Sequence, residues 1–232
     1  MYKRQDLVHE GPVLTPGLRW AGLDARDALP PQVSPEVLWD WDALTVWERG
    51  ILDLLERWSP ERALSAAADA ARRLECWRPG EGRTLAATVY AALGAAGLEP
   101  SRDRIDVDLL DALARQAAPD ALPAHAAPSD RDAADLEFVE PAWGGLRSII
   151  GRYLAARTVA NAVGYHAASA RVWAASLDAA YAVLRTEAAR QASCAGRVLD
   201  AELLVAAAAD ADRLLVHRID AAVLAHMLHA LS

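Results

Sequence analysis

Lysine is all but missing from this chain of 232 residues: Lys3 is the only one, and arginine supplies the rest of the 24 basic side chains. Phenylalanine and asparagine occur once each, as Phe138 and Asn161. Cysteine is scarce as well. Cys76 and Cys194 are too few and too far apart for a disulfide framework or a zinc signature, so the expectation is reduced thiols in a cytoplasmic protein. Basic residues never cluster beyond the pair Arg72-Arg73, and 32 acidic side chains leave a net charge of −8. Such a chain lacks the phosphate-neutralising attraction that dominates nucleic-acid affinity, so nucleic acid is not an expected partner. Long apolar runs are missing too. The longest uncharged stretch, Thr84 to Leu98, falls short of the roughly 20 apolar residues that a membrane span requires. No phosphate loop, dinucleotide fingerprint, nucleophile elbow or zincin motif occurs. His9-Glu10 opens like the last of these, but Gly11-Pro12 forbids the helix that such a site needs.

Against so little lysine the first five residues stand out. Met1-Tyr2-Lys3-Arg4-Gln5 reads as a translated transposon-adapter end, GTG-TAT-AAG-AGA-CAG with GTG as the start codon. The rest of the chain, rich in Ala, Arg, Gly and Pro, has the bias of a high-GC bacterial genome. Residues 1–5 are therefore set aside as an adapter scar, with the expectation that the natural protein continues upstream of Asp6. Without Lys3 and Arg4, 22 basic side chains face 32 acidic ones, a balance of −10.

What is present points to helices. Hydrophobic residues make up 53% of the chain, enough for a sizeable core, and much of that is alanine, the best helix former. Tryptophan is heavy at eight copies, with Trp20, Trp39, Trp41, Trp47, Trp58 and Trp77 concentrated in the first third. Residues 6–33 are punctuated by Gly11-Pro12, Pro16-Gly17 and Pro30-Pro31 and read as an irregular N-terminal segment.

Ser34-Pro35 then offers a helix cap with proline at the first position, followed by Val37, Leu38, Trp41, Leu44, Ile51, Leu52 and Leu55 at helical spacing, with a bend near Asp40 to Asp42. Ser59-Pro60-Glu61 starts a second helix to about Trp77, Thr84 to Ala96 a third stopped by Gly97, and Asp106 to Ala117 a fourth. Together these make 34–117 a Trp-rich helical subdomain. Pro119, Pro123, Pro128 and the acidic run Asp130 to Asp135 mark 118–140 as a mobile Pro/Asp-rich connection.

Residues 141–232 read as an Ala-rich helical bundle. One helix runs from Ala142 to about Gly164, with Leu146, Ile149, Ile150 and Tyr153 on its apolar stripe, and a long one from Ser169 to Ala195 is capped by Gly196. Two more open at Asp200 and Asp220. The fold expected is all-α, a bundle of about seven or eight helices with no strand beyond residue 34.

Candidate chemistry is sparse. Arg157, Asn161 and Tyr165 recur at i, i+4 and i+8 with His166 adjacent, a polar stripe that would line a cleft if it faced another helix and would face water on an ordinary amphipathic one. Asn161 draws notice because asparagine is a poor mid-helix residue. His217, His226 and His229 could converge on a metal, but no carboxylate or cysteine completes a signature, and no metal site is assigned. Asp130, Asp132, Asp135 and Glu137 lack the glycine and spacing of a calcium loop and read as a solvated acidic loop. Trp39 falls off the apolar stripe that takes Trp41 and Trp58, which makes the Trp-rich helices a candidate protein-docking surface. Cys76 beside Trp77 reads as a buried thiol at a helix end.

Four segments carry a family resemblance: Arg152 to Arg157, Val163-Gly164-Tyr165-His166, Ala182 to Arg190, and Asp212 to His217. Through them the stretch 146–224 resembles the helical C-terminal region of YkgJ-type cysteine-cluster proteins, which are related to flagellin lysine-N-methylases. The resemblance implies an N-terminal cysteine cluster holding a metal or an iron–sulfur centre. That cluster is absent from this chain, which therefore takes over no functional residue and would carry no cofactor of its own. Three readings result. The first is the helical C-terminal portion of a larger cysteine-cluster protein. The second is a non-catalytic helical binding or scaffolding protein, and the third a small-molecule enzyme using Arg157, Asn161, Tyr165 and His166.

Overall fold

The computed structural model describes residues 31–80, 82–96, 128–167 and 169–231. The fourth helix expected over 106–117, the cap at Gly97 and the irregular segment before residue 31 lie outside them. Described residues are helical apart from turns and one small hairpin, β1 (Gln32–Ser34) paired antiparallel with β2 (Val37–Leu38).

That hairpin corrects the first helix. Ser34 ends β1 rather than capping a helix, Pro35-Glu36 forms the turn, and Val37 and Leu38 are strand residues. Helix α1 (Trp41–Arg57) begins where a bend was expected, because Asp40 is the better cap: its carboxylate accepts from the Ala43 amide at 2.6 Å. Trp39, thereby freed from helical register, turns inward. It is 1% exposed, with its ring 5.7 Å from Trp47 and 6.3 Å from Trp173, so no Trp39 docking surface exists.

Helix α2 (Pro60–Leu74) starts at the expected Ser59-Pro60 signal and stops before Trp77. Cys76, just past its end, is exposed rather than buried, as is Cys194. Helix α3 (Leu85–Ala95) is capped by Thr84.

The connection expected over 118–140 is helical from Pro128 onward. Helix α4 (Pro128–Ala134) passes through a π-helical turn (Asp135–Val139) into α5 (Glu140–Trp143), then a 3-10 turn (Gly144–Leu146) and α6 (Arg147–Val159). Its acidic run is not merely solvated. Arg185 donates from Nε and Nη2 to the two Asp135 oxygens at 2.7 Å each, also bonds Glu140, and lies over the Trp143 ring. Val139 and Trp143 then bury beneath this clamp.

The single helix expected from Ala142 to about Gly164 is broken at Ala160-Asn161, which leaves the short α7 (Ala162–His166) as a separate element. The remaining helices follow the sequence closely: the long α8 (Ala170–Ala195) capped by Ser169 and by Gly196 at φ 60°, α9 (Ala201–Asp212) capped by Asp200 and running into a π-helical turn (Arg213–Arg218), and α10 (Ala221–Leu231) after Asp220. Helix α8 is the axis of the fold. It touches α2, α4, α6, α7, α9 and α10, while α1 packs on α2, α3 and α6. Buried side chains from both the Trp-rich and the Ala-rich parts therefore form one core. No helix among the described residues is long and apolar enough to cross a membrane.

At Gly164 an added Cβ would meet the Trp173 ring at 2.8 Å, whereas nothing lies within 4 Å of one at Gly144. Gly164→Ala should destabilise the protein by roughly 1–3 kcal/mol in urea unfolding, while Gly144→Ala should be neutral or stabilising. Equal effects of the two would mean that Trp173 does not pack on this glycine.

Candidate functional site

The polar stripe does not survive as a stripe. Helix α6 ends at Val159, and Ala160 and Asn161 leave helical geometry, so the i, i+4, i+8 register stops there. Asn161 is instead the cap of α7: its side-chain oxygen accepts from the Gly164 amide at 3.0 Å and its amide nitrogen donates to the Ser176 hydroxyl at 2.9 Å. A side chain that competes with the backbone for hydrogen bonds suits this break better than a helix interior. Arg157 and Asn161 are buried, whereas Tyr165 is 49% exposed and His166 is exposed. The four residues do not share one helix face.

Arg157 has a different set of neighbours. Its Nη1 lies 3.9 Å from the Asp212 carboxylate at the end of α9, and Tyr153 sits one turn earlier on α6 with its hydroxyl buried. Burial pushes the Asp212 carboxyl above its ordinary pKa, with Arg157 opposing, and burial pushes the Tyr153 hydroxyl up as well. Tyr153 at i−4 from Arg157 was visible in sequence as a core residue. Asp212 carried no local signal, because only the packing of α6 against α9 brings it there.

A second constellation went unread. A cleft of about 410 Å³ opens between the hairpin turn, the end of α2, the start of α8 and α10. Glu36 comes from the turn, Glu75 and Arg78 from the end of α2, Ser169 and Arg171 from the start of α8, and His229 from α10. Arg171 pairs with Glu75 at 3.6 Å, and Arg78 Nη1 donates to the Glu75 and Trp77 carbonyls at 2.8 and 2.9 Å. Ser169 caps α8 by accepting from the Val172 amide at 3.4 Å. Ser34, also in the lining, is 5% exposed, and its hydroxyl has no hydrogen-bond partner among the described residues. In sequence these residues appear only as helix caps, helix ends and a lone histidine. Their convergence is purely tertiary.

The histidine trio does not assemble into a metal centre: among the described residues no group of three His, Cys, Asp or Glu side chains gathers as one. Nor do Asp130, Asp132, Asp135 and Glu137 form a loop, since they lie on α4 and its π-helical turn.

Glu48, half-buried on α1, is the most displaced carboxyl of the described chain. Burial raises its pKa to about 7, and burial also raises that of Tyr165, with the Glu48 charge adding to the shift. Folding thus favours the protonated Glu48. Its contribution to stability is complete below the ordinary glutamate pKa and is lost as pH rises through about 7. Glu48→Gln, neutral at every pH, should therefore stabilise the protein relative to wild type at pH 8 by roughly 1–3 kcal/mol, with the gap closing toward pH 5. Urea unfolding at the two pH values measures this, and a gap independent of pH would show that Glu48 titrates normally.

No family model, curated protein or solved structure matches this chain.

Proposed function

We propose that this chain is a non-catalytic helical binding protein that holds a small polar molecule in the cleft between the hairpin, α2, α8 and α10. The observation that carries the reading is the convergence of five ionisable side chains, Glu36, Glu75, Arg78, Arg171 and His229, on one cleft whose lining also includes the buried Ser34. Small-ligand sites combine a concave surface of this size with a few convergent polar groups. Catalysis by the Arg157 stripe has less behind it, since Tyr165 and His166 stand outside while Arg157 and Asn161 are buried. Docking of a protein through the Trp-rich helices also has less behind it, with Trp39 and Trp47 fully inside.

A second reading keeps the cysteine-cluster resemblance. The segments that carry it lie on α6, α7, α8 and across the end of α9, and the metal or iron–sulfur centre would belong to residues upstream of Asp6. Recovery of the natural reading frame decides it: an upstream stretch without clustered cysteines removes this reading.

For the cleft, a thermal-shift panel of amino acids, organic acids, sugars, nucleosides and polyamines is the direct test, run on wild type and on Glu36→Trp. Glu36 is exposed on the hairpin turn, so an indole there fills the cleft without entering the core. A compound present at about 100 times its Kd should add roughly 2.7 kcal/mol of stability to wild type and much less to the variant. Stabilisation that is the same in both proteins, or turnover of the stabilising compound, would overturn the proposal.

A further inference from the structure

Resting on that reading, the geometry points to the class of ligand: we infer that the cleft takes a small zwitterion carrying a carboxylate and an ammonium group, the chemistry of a free α-amino acid or a dipeptide. The anionic end is specified first. Helix α8 is 26 residues long, and its N-terminus lies at the cleft, where the N-cap Ser169 and the first-turn Arg171 are in the lining. Such a terminus carries about half a positive charge and favours carboxylate or phosphate. Arg171, on the first turn of α8, and Arg78, just past the end of α2, add guanidinium groups to the lining, and Ser34, nine-tenths buried, brings to it a hydroxyl with no partner among the described residues.

Charge balance excludes the simpler anions. Glu36 and Glu75 stand in the same lining as the two arginines, so beyond His229 the cleft is neutral in formal charge. A phosphate would meet both carboxylates, and a lone amine would meet both guanidiniums and the positive end of α8. Like-charge contacts of this kind reject the wrong ligand as strongly as good contacts select the right one. Glu75 is shared with Arg171, but Glu36 makes no ion pair among the described residues and is exposed at the rim, where it can accept an ammonium group. A molecule with both charges on one short backbone answers the guanidiniums and the carboxylates of the lining together.

The test uses the whole chain, labelled with nitrogen-15. The twenty amino acids and the dipeptide glycyl-alanine are titrated one at a time, with acetate, methylammonium and inorganic phosphate as single-charge controls. At least one amino acid or the dipeptide should shift the Ala170, Arg171 and Val172 amides and bind about tenfold or more tightly than any control. Free amino acid and dipeptide arms separate the two sources. N-acetylation of the bound compound should weaken it about tenfold, as should Glu36→Gln and Arg171→Gln, and both variants should keep the wild-type spectrum elsewhere. Controls that bind as tightly as the zwitterion, or an N-acetyl compound that binds unchanged, would overturn the inference. So would amides that stay in place with all amino acids and the dipeptide. A different compound class that stabilises wild type but not Glu36→Trp would sink the zwitterion while leaving the binding reading intact. Absence of any cleft-dependent ligand would remove both.

Discussion

Close contact between alanine-lined helices is the constraint on which this fold depends. Along α8 the buried alanines Ala170, Ala174, Ala180, Ala188 and Ala192 let neighbouring backbones approach, and Ala63, Ala66, Ala67, Ala70 and Ala71 do the same on α2. Each methyl group buries little area, so the hydrophobic return per residue is small. What compensates is the number of partners: one 26-residue helix lies against six others. Larger side chains enter beside the alanines, and the three buried indoles of Trp39, Trp47 and Trp173 pack against one another. Their N–H groups have no hydrogen-bond partner among the described residues, so their apolar bulk, rather than polar bonding, accounts for their place there.

Polar residues then fasten the helices that alanine brings together. Trp143 donates its indole hydrogen to the Tyr181 hydroxyl at 2.8 Å, and Tyr181 in turn donates to Glu61. Burial raises the Glu61 carboxyl, but hydrogen bonds led by the one from Tyr181 bring it below its ordinary value. This chain of bonds joins α5, α8 and α2, and Arg185 extends it to Asp135 and Glu140. A π-helical turn at Asp135–Val139 fits this role, because the extra residue in the turn lets Asp135 and Glu140 both reach one guanidinium.

Much of this was legible in sequence where the signal is local. Ser59, Ser169, Asp200 and Asp220 announced their helices, and Gly196 ended the longest one, because a cap is decided within a few residues. Apolar spacing also placed Ile150 and Tyr153 inside. Errors came where two local signals competed or where the deciding partner lay far along the chain. At Ser34-Pro35 a plausible cap lost to Asp40, six residues after Ser34. At Asp130 to Asp135 the acidic run looked solvated because Arg185 is distant in sequence. Asn161, read as one member of a helix face, is the residue that ends that face. The cleft was the least legible part, since Ser34, Glu75, Arg171 and His229 share no pattern until the helices pack.

The hairpin has a consequence for how the cleft can work. Ser34 and Glu36 are separated from Trp39 by only a few residues of paired strand, and the Trp39 amide is bonded back to the Pro31 carbonyl at 2.9 Å. With Trp39 wedged between two other indoles, this wall is anchored to the deepest part of the interior and cannot swing as a flap. The recess is therefore held open in advance, and a guest would surrender its own freedom on arrival without asking the host to surrender any.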